Sequence, residues 1–380
     1  MNGNCQEGRK IERWIGIHIH LSDLPSFLFI PLVVIAACSH RDNAASHDAV
    51  ATLPWDAGQL PAIVVPNDNA SNDAKIDLGR MLFHDPILSS DRKVACATCH
   101  SQYWGMADGL PRSIGVGGVG AVGLGRSGPT HTRRNARTLW NAAYRRALFW
   151  DGRAASLEEQ ALVPLADAAE LGRAPEDVVV DLRGIADYRA RFAAAFGGGD
   201  EAVSAANLPR AIASFVRTIV SVDAPYDRYA RGDTNALSAD EVRGMGLFAH
   251  LGCASCHAPP LFESERYENV GITSVPGAVD DGRFEVTKAD GDRGAFRVPT
   301  LRNLRATGPY FHDGSAATID DAASRMARFS APSHTLTPDE LASLVAFLRS
   351  SLVDRSHEPT RPDDVPSGLP LPADGFRMQR

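Results

Sequence analysis

Cys96-Ala97-Thr98-Cys99-His100 and Cys253-Ala254-Ser255-Cys256-His257 are two copies of one pattern, Cys-x-x-Cys-His, in a chain of 380 residues. In this pattern two thiols add across the vinyl groups of a haem, and the adjacent histidine binds the iron from one face. The rival reading is a zinc site built from two Cys-x-x-Cys arms. It requires no histidine after either arm, and the long interval between the arms weakens it further. The pentapeptides therefore predict two c-type haems. Cys96, Cys99 and His100 would hold the first, and Cys253, Cys256 and His257 the second.

The chain is long enough for two domains with substantial cores. Its net charge of -7 disfavours a nucleic-acid partner. Of six cysteines, only Cys5 and Cys38 lie outside the pentapeptides, so no disulfide framework is predicted. Arg9, Lys10 and Arg13 precede an apolar run, Leu24 to Ala37, that ends Ile35-Ala36-Ala37-Cys38. Residues 1–37 read as a secretory signal. The ending resembles a bacterial lipobox, which would make Cys38 a lipidated first residue; a plain signal peptide or short membrane anchor is the alternative. The run is short for a transmembrane helix. The expectation is a periplasmic protein held to the outer membrane through Cys38, with residues 38–72 as a flexible tether. Export agrees with covalent haem attachment, which takes place outside the cytoplasm.

The body reads as a loose internal duplication. In each half a helix leads into the pentapeptide, an irregular stretch follows, and an amphipathic helix closes the unit. Leu208, Ile212, Phe215 and Ile219 stripe the first closing helix. In the second, Thr337 is the N-cap, Pro338 follows, and Leu341, Leu344, Val345, Leu348 and Leu352 recur at helical spacing. The expected divisions are 73–223, a linker at 224–237, 238–352, and an extended Pro-rich tail at 353–380. Strand signal is slight, so the class is mainly α with long loops.

Several further motifs resemble the bacterial di-haem cytochrome c peroxidase family, which includes the MauG-type enzymes. They are Leu78-Gly79-Arg80 with Leu82-Phe83-His84-Asp85-Pro86, Arg134-Asn135 with Thr138-Leu139, Phe149-Trp150-Asp151-Gly152-Arg153 and Ser156-Leu157-Glu158-Glu159-Gln160. Val298-Pro299-Thr300-Leu301-Arg302-Asn303 and Gly308-Pro309-Tyr310-Phe311-His312-Asp313-Gly314 complete the set, and the resemblance runs from about residue 74 to 352. It implies two cytochrome c-like domains, each around a covalently bound haem. One haem reacts with peroxide and the other passes in electrons.

Carried over residue by residue, the resemblance gives Met326 as the thioether opposite His257, where MauG-type enzymes place a tyrosine. A thioether opposite the histidine favours the reduced iron. The resemblance likewise gives Gln160 and Glu170 as the groups handling peroxide at the His100 haem, and Trp150 as the aromatic ring between the haems. Asn135, Thr307 and Pro309 match the family's calcium site, built from a side-chain amide, backbone carbonyls and water. In one place the chain departs from the pattern. Ser127 stands where classical members carry a histidine that blocks the oxidised peroxidatic iron, in a glycine-rich loop, Gly115 to Gly128. His131 is the remaining candidate for that role. The expectation is an open position opposite His100 that needs no reductive activation.

The leading expectation is a peroxidase that reduces hydrogen peroxide to water with electrons from a small cytochrome c or cupredoxin. MauG-like oxidation of a side chain on a partner protein is the second reading. A non-catalytic di-haem electron carrier is the third, against which Gln160 and Glu170 argue. Relatives often pair, so homodimerisation stays open on the sequence.

Overall fold

In the computed structural model, which describes residues 53, 59–272, 274–275 and 278–374, helices carry almost all of the regular structure. The expected signal segment, the expected lipidation site Cys38 and the last six residues lie outside these positions. The described residues belong to one compact unit, Val50–Arg380. None of its described helices is long and apolar enough to cross a membrane.

Helix α1 (Asp73–His84) leads into a single turn, α2 (Cys96–Cys99), that carries the first pentapeptide. Then come α3 (Leu157–Ala166), α4 (Pro175–Gly184), α5 (Ala186–Phe196) and α6 (Asn207–Val216). The second half runs α7 (Pro225–Ala230), α8 (Ala239–His250), α9 (Phe284–Thr287), α10 (Ile319–Ser330) and α11 (Pro338–Ala346). The described sheet is slight. Tyr267–Glu268 pairs with Phe296–Arg297, and Ser274–Val275 with Ala278–Val279, both antiparallel. Helix starts follow local chemistry. Asn72 caps α1 by accepting from the Lys75 amide at 2.8 Å. Thr337 caps α11, as the sequence leads one to expect, and the Glu340 side chain returns the contact.

The duplication is visible at two glycines. A Cβ on Gly79 in α1 would lie 2.0 Å from the Ala211 carbonyl oxygen in α6 and 2.9 Å from the Phe215 Cβ. A Cβ on Gly244 in α8 would lie 2.0 Å from the Ser343 carbonyl oxygen in α11 and 2.8 Å from the Phe347 Cβ. In both halves the helix before the pentapeptide crosses the closing helix where only glycine allows the backbones to meet. Each crossing anchors a separate apolar cluster. Leu78, Leu82, Phe192, Leu208 and Phe215 belong to the first, and Phe248, Phe262, Leu344 and Phe347 to the second.

Two expected boundaries need correction. Residues 224–237 are not simply a linker: Pro225 starts α7, whose Tyr226 is buried in the second cluster. Its Asp227 receives both Arg302 guanidinium nitrogens, at 2.6 and 2.8 Å. The tether does not run free to residue 72 either. Asn69 is buried, donates to the Glu158 carboxylate at 2.6 Å, and accepts from the Lys75 ammonium at 3.0 Å. Both stretches look like loops because their polar residues find partners far away in sequence. Beyond residue 352 the chain first stays on the second half, where the Asp354 amide donates to Asn303 Oδ1 at 2.8 Å, and then reaches the first half. There Ser367 Oγ donates to Asp85 at 2.6 Å, and Asp374 accepts from Ser101 Oγ at 2.7 Å.

Candidate haem sites and the wall between them

The first pentapeptide forms its own tight turn, in which the His100 amide donates to the Cys96 carbonyl at 2.9 Å. His100 Nδ1 lies 3.0 Å from the Met106 carbonyl oxygen. A carbonyl only accepts, so Nδ1 carries the proton and Nε2 keeps its lone pair for a metal. Burial keeps the imidazole neutral and pushes the Cys96 thiol up to about 12. Cys96, Cys99 and His100 line one small cavity with Gln160 of α3 and Glu170 from the turn beyond it, against Phe83, Leu139 and Ile212. Burial raises the Glu170 carboxyl to about 7, with the Asp167 carboxylate adding to the rise and Arg153 opposing it.

The glycine-rich loop supports this cavity from outside. A Cβ on Gly115 would lie 2.1 Å from the Ala169 carbonyl oxygen and 2.4 Å from that of Glu170. The Val116 amide donates to the Glu170 carbonyl at 3.0 Å. Ser127 pairs with Val119 across the loop, and His131 is exposed. Neither Ser127 nor His131 is among the residues lining the cavity.

The second site is a cavity of ≈ 490 Å³ lined by Cys253, Cys256, His257 and Met326, with Phe248, Leu344 and Leu348 as apolar wall. His257 Nδ1 lies 3.0 Å from the Pro299 carbonyl oxygen and 3.2 Å from that of Phe262. By the same argument its Nε2 is the metal-binding atom. Tyr310 also lines this cavity, but its hydroxyl donates to the Leu304 carbonyl at 3.0 Å, and burial pushes it up to about 12. It stays a neutral phenol committed to the backbone.

Trp150, Asn135, Thr307 and Pro309 form part of the same cavity wall. The Trp150 indole nitrogen donates to the Asn135 carbonyl at 2.9 Å. Asn135 Nδ2 donates to the Leu110 carbonyl at 2.9 Å, so the amide oxygen is the atom left for a cation. His312 packs edge-on to Trp150 and flat on Phe296, and burial lowers it to about 4. The sequence reading did not single out His312 as a site residue, nor Arg137, Arg145 or Arg297 at all. Nothing in local spacing marks them, because tertiary packing alone brings them to this wall.

The donor sets suit c-type haem. Each cavity brings together two unpaired thiols and a neutral imidazole with a free Nε2. The second is of a size for a bound cofactor. At the first, with a cavity of ≈ 50 Å³, the fit rests on donor chemistry alone. The two arms line separate cavities, which disposes of a shared zinc site.

A mainly helical fold with two such sites defines a di-haem c-type protein. The profile of the di-haem cytochrome c peroxidase family matches residues 73–235. The chain is 37% identical over 284 residues to cytochrome c551 peroxidase of Nitrosomonas europaea, covering 73% of this chain and 80% of that one. It is 35% identical over 290 residues to the methylamine utilization protein MauG of Methylorubrum extorquens, covering 75% and 78%. A crystal structure of a MauG-like protein associated with microbial copper homeostasis superposes with a TM-score of 0.69 at 32% identity, covering 80% and 97%. The chain belongs to the di-haem cytochrome c peroxidase family.

Proposed function

We propose that the protein reduces hydrogen peroxide to water, with electrons delivered singly by a small periplasmic cytochrome c or cupredoxin. The observation that carries this is the convergence of Glu170 and Gln160 on the cavity of Cys96, Cys99 and His100. An electron carrier needs neither group. Two c-type haems would supply the redox chemistry, with His100 holding the peroxide-reducing iron and His257 and Met326 the electron-receiving one.

The residues' tasks follow from their chemistry. Reducing H2O2 to two H2O takes two electrons and two protons, and the two oxygens of peroxide must end up differently protonated as the bond parts. A carboxyl near 7 exists in both forms at neutral pH, so Glu170 can take a proton from one oxygen and give it to the other. Gln160 offers an amide donor and acceptor that orients peroxide beside it. Trp150, fixed through Asn135, holds an aromatic ring in the wall of the second cavity, where it can couple the two sites. Asn135, Thr307 and Pro309 are proposed as a calcium site that stiffens this wall. Periplasmic location, with a lipid anchor at Cys38, is part of the proposal and rests on the sequence of residues 1–38.

MauG-like oxidation of a partner protein is the second reading, favoured by the similarity to MauG and by a first cavity that no residue of the glycine-rich loop lines. Met326, at the position where MauG-type enzymes place a tyrosine, lines the cavity with His257 and favours peroxidase. The test is stoichiometry. Peroxidase activity consumes two reduced cytochromes per peroxide; peroxide consumption that needs a protein substrate and leaves the cytochrome reduced would establish the second reading instead.

A further inference from the structure

The wall between Trp150 and the second cavity carries more positive charge than it neutralises. Arg145 and Arg297, with side chains 3% and 1% exposed, face the cavity beside Arg137. Against these three guanidiniums stand Glu263, equally buried, and Glu265, which is 44% exposed. Arg145 spends its donors on Glu263 and on the Thr138 and Trp140 carbonyls. Arg297 spends Nε and Nη2 on the Glu265 carboxylate, at 3.3 and 2.7 Å, and Arg137 spends Nη1 on the Phe149 carbonyl, but each keeps one nitrogen unspent. Arg137 Nη2 and Arg297 Nη1 are buried with no hydrogen-bond partner; Arg297 Nη1 stands 3.6 Å from a Glu263 carboxylate oxygen, near enough for an ion pair but too far for a hydrogen bond. A guanidinium nitrogen is an obligatory donor, and leaving one unmade in a buried place is costly.

Both arginines also grip the Trp150 segment. Arg137 Nη1 donates to the Phe149 carbonyl at 3.0 Å, and its guanidinium carbon stands 4.7 Å from the centre of the Trp150 ring. The Arg297 backbone amide donates to the Trp150 carbonyl at 2.8 Å. Burial and the neighbouring Arg145 and Arg297 charges press Arg137 well below its usual range, the direction expected where an anionic partner is wanted.

We propose that Arg137 Nη2 and Arg297 Nη1 form an anion subsite for carboxylate, filled by the propionates of the second haem, so that the same two arginines fix the edge of that haem against Trp150. The proposal rests on the di-haem reading and adds the orientation of the group and the residues that set it. Guanidinium donors match carboxylate oxygens in geometry, and a carboxylate partner favours the charged form of Arg137. They are positioning residues, and the cations also favour the iron's less positive, reduced state.

Two measurements on the holoprotein test this. The first is a spectroelectrochemical titration of the wild type, Arg137→Gln and Arg137→Lys, with haems counted per chain. Arg137→Gln is expected to make reduction of the second haem at least tenfold less favourable, which is about 59 mV for one electron, and Arg137→Lys to restore most of the loss. An unchanged potential in Arg137→Gln with two haems present overturns the proposal and leaves the di-haem reading standing. Fewer than two haems in the wild type overturn both. The second measurement, a crystal structure of the wild-type holoprotein, does not depend on any variant folding. Propionate oxygens within about 3.2 Å of Arg137 Nη2 and Arg297 Nη1 support the proposal; propionates directed to Arg266 or to solvent overturn it.

Discussion

The Trp150 indole nitrogen donates to the Asn135 carbonyl oxygen at 2.9 Å, while the Asn135 amide donates to the His312 carbonyl at 2.7 Å. The Trp150 ring is thus tied to a backbone relay that joins residues from both halves of the chain. Trp150→Phe keeps an aromatic ring but leaves the Asn135 carbonyl without that donor. The variant is expected to lose about 1–3 kcal/mol of stability by chemical denaturation, and to slow electron transfer between the two sites in a rapid-mixing experiment. Wild-type stability would show that the contact is not a constraint.

Gly115 stands against the Glu170 turn with no room for a side chain. Gly115→Ala must push the loop or the turn aside, with a destabilisation of about 1–3 kcal/mol. Because the displaced turn carries Glu170, peroxide turnover should fall more than the loss of stability explains. A variant with full turnover would separate the loop from the first site.

Arg302 is fully buried and holds Asp227 through two hydrogen bonds. Arg302→Ala leaves a buried carboxylate unpaired, at a cost of about 3–5 kcal/mol. The double variant Asp227→Asn, Arg302→Met is expected to recover part of that loss in thermal denaturation. Equal stability of the single variant and the wild type would mean that α7 does not dock through this pair.

Burial raises the Glu170 carboxyl from 4.5 to about 7. Between those values the folded chain keeps a proton that the unfolded chain has released. Stability from this group is therefore present below pH 4.5, falls as the pH rises, and is lost above 7. Glu170→Gln should match the wild type near pH 4.5 and exceed its melting temperature above pH 7. A difference that is the same at every pH would contradict the assigned burial.

Much of this was legible in the sequence. The pentapeptides, the cap at Thr337 and the apolar stripes of α6 and α11 are local patterns, and local physics decides them. The convergence of Gln160 and Glu170 on the His100 cavity was carried only by family resemblance, since isolated acids on helices look alike. What escaped was long-range. Asp227 looks like a linker residue until Arg302 is placed beside it, 75 positions on. Arg137 and Arg297 look like surface charges until the fold turns them into a cavity. His131, the one spare histidine in the loop region, gave a sequence signal with no counterpart at the first cavity.

The central claim is that the first site reduces peroxide with Glu170 as its proton-handling group. The direct measurement is steady-state peroxide consumption by the holoprotein with a reduced small cytochrome c, comparing the wild type with Glu170→Gln. The account predicts turnover in the wild type and a loss of at least about 10²-fold in the variant, with the second haem still reducible by the donor. Equal turnover in both proteins, or none in a wild type whose second haem accepts electrons, would contradict it.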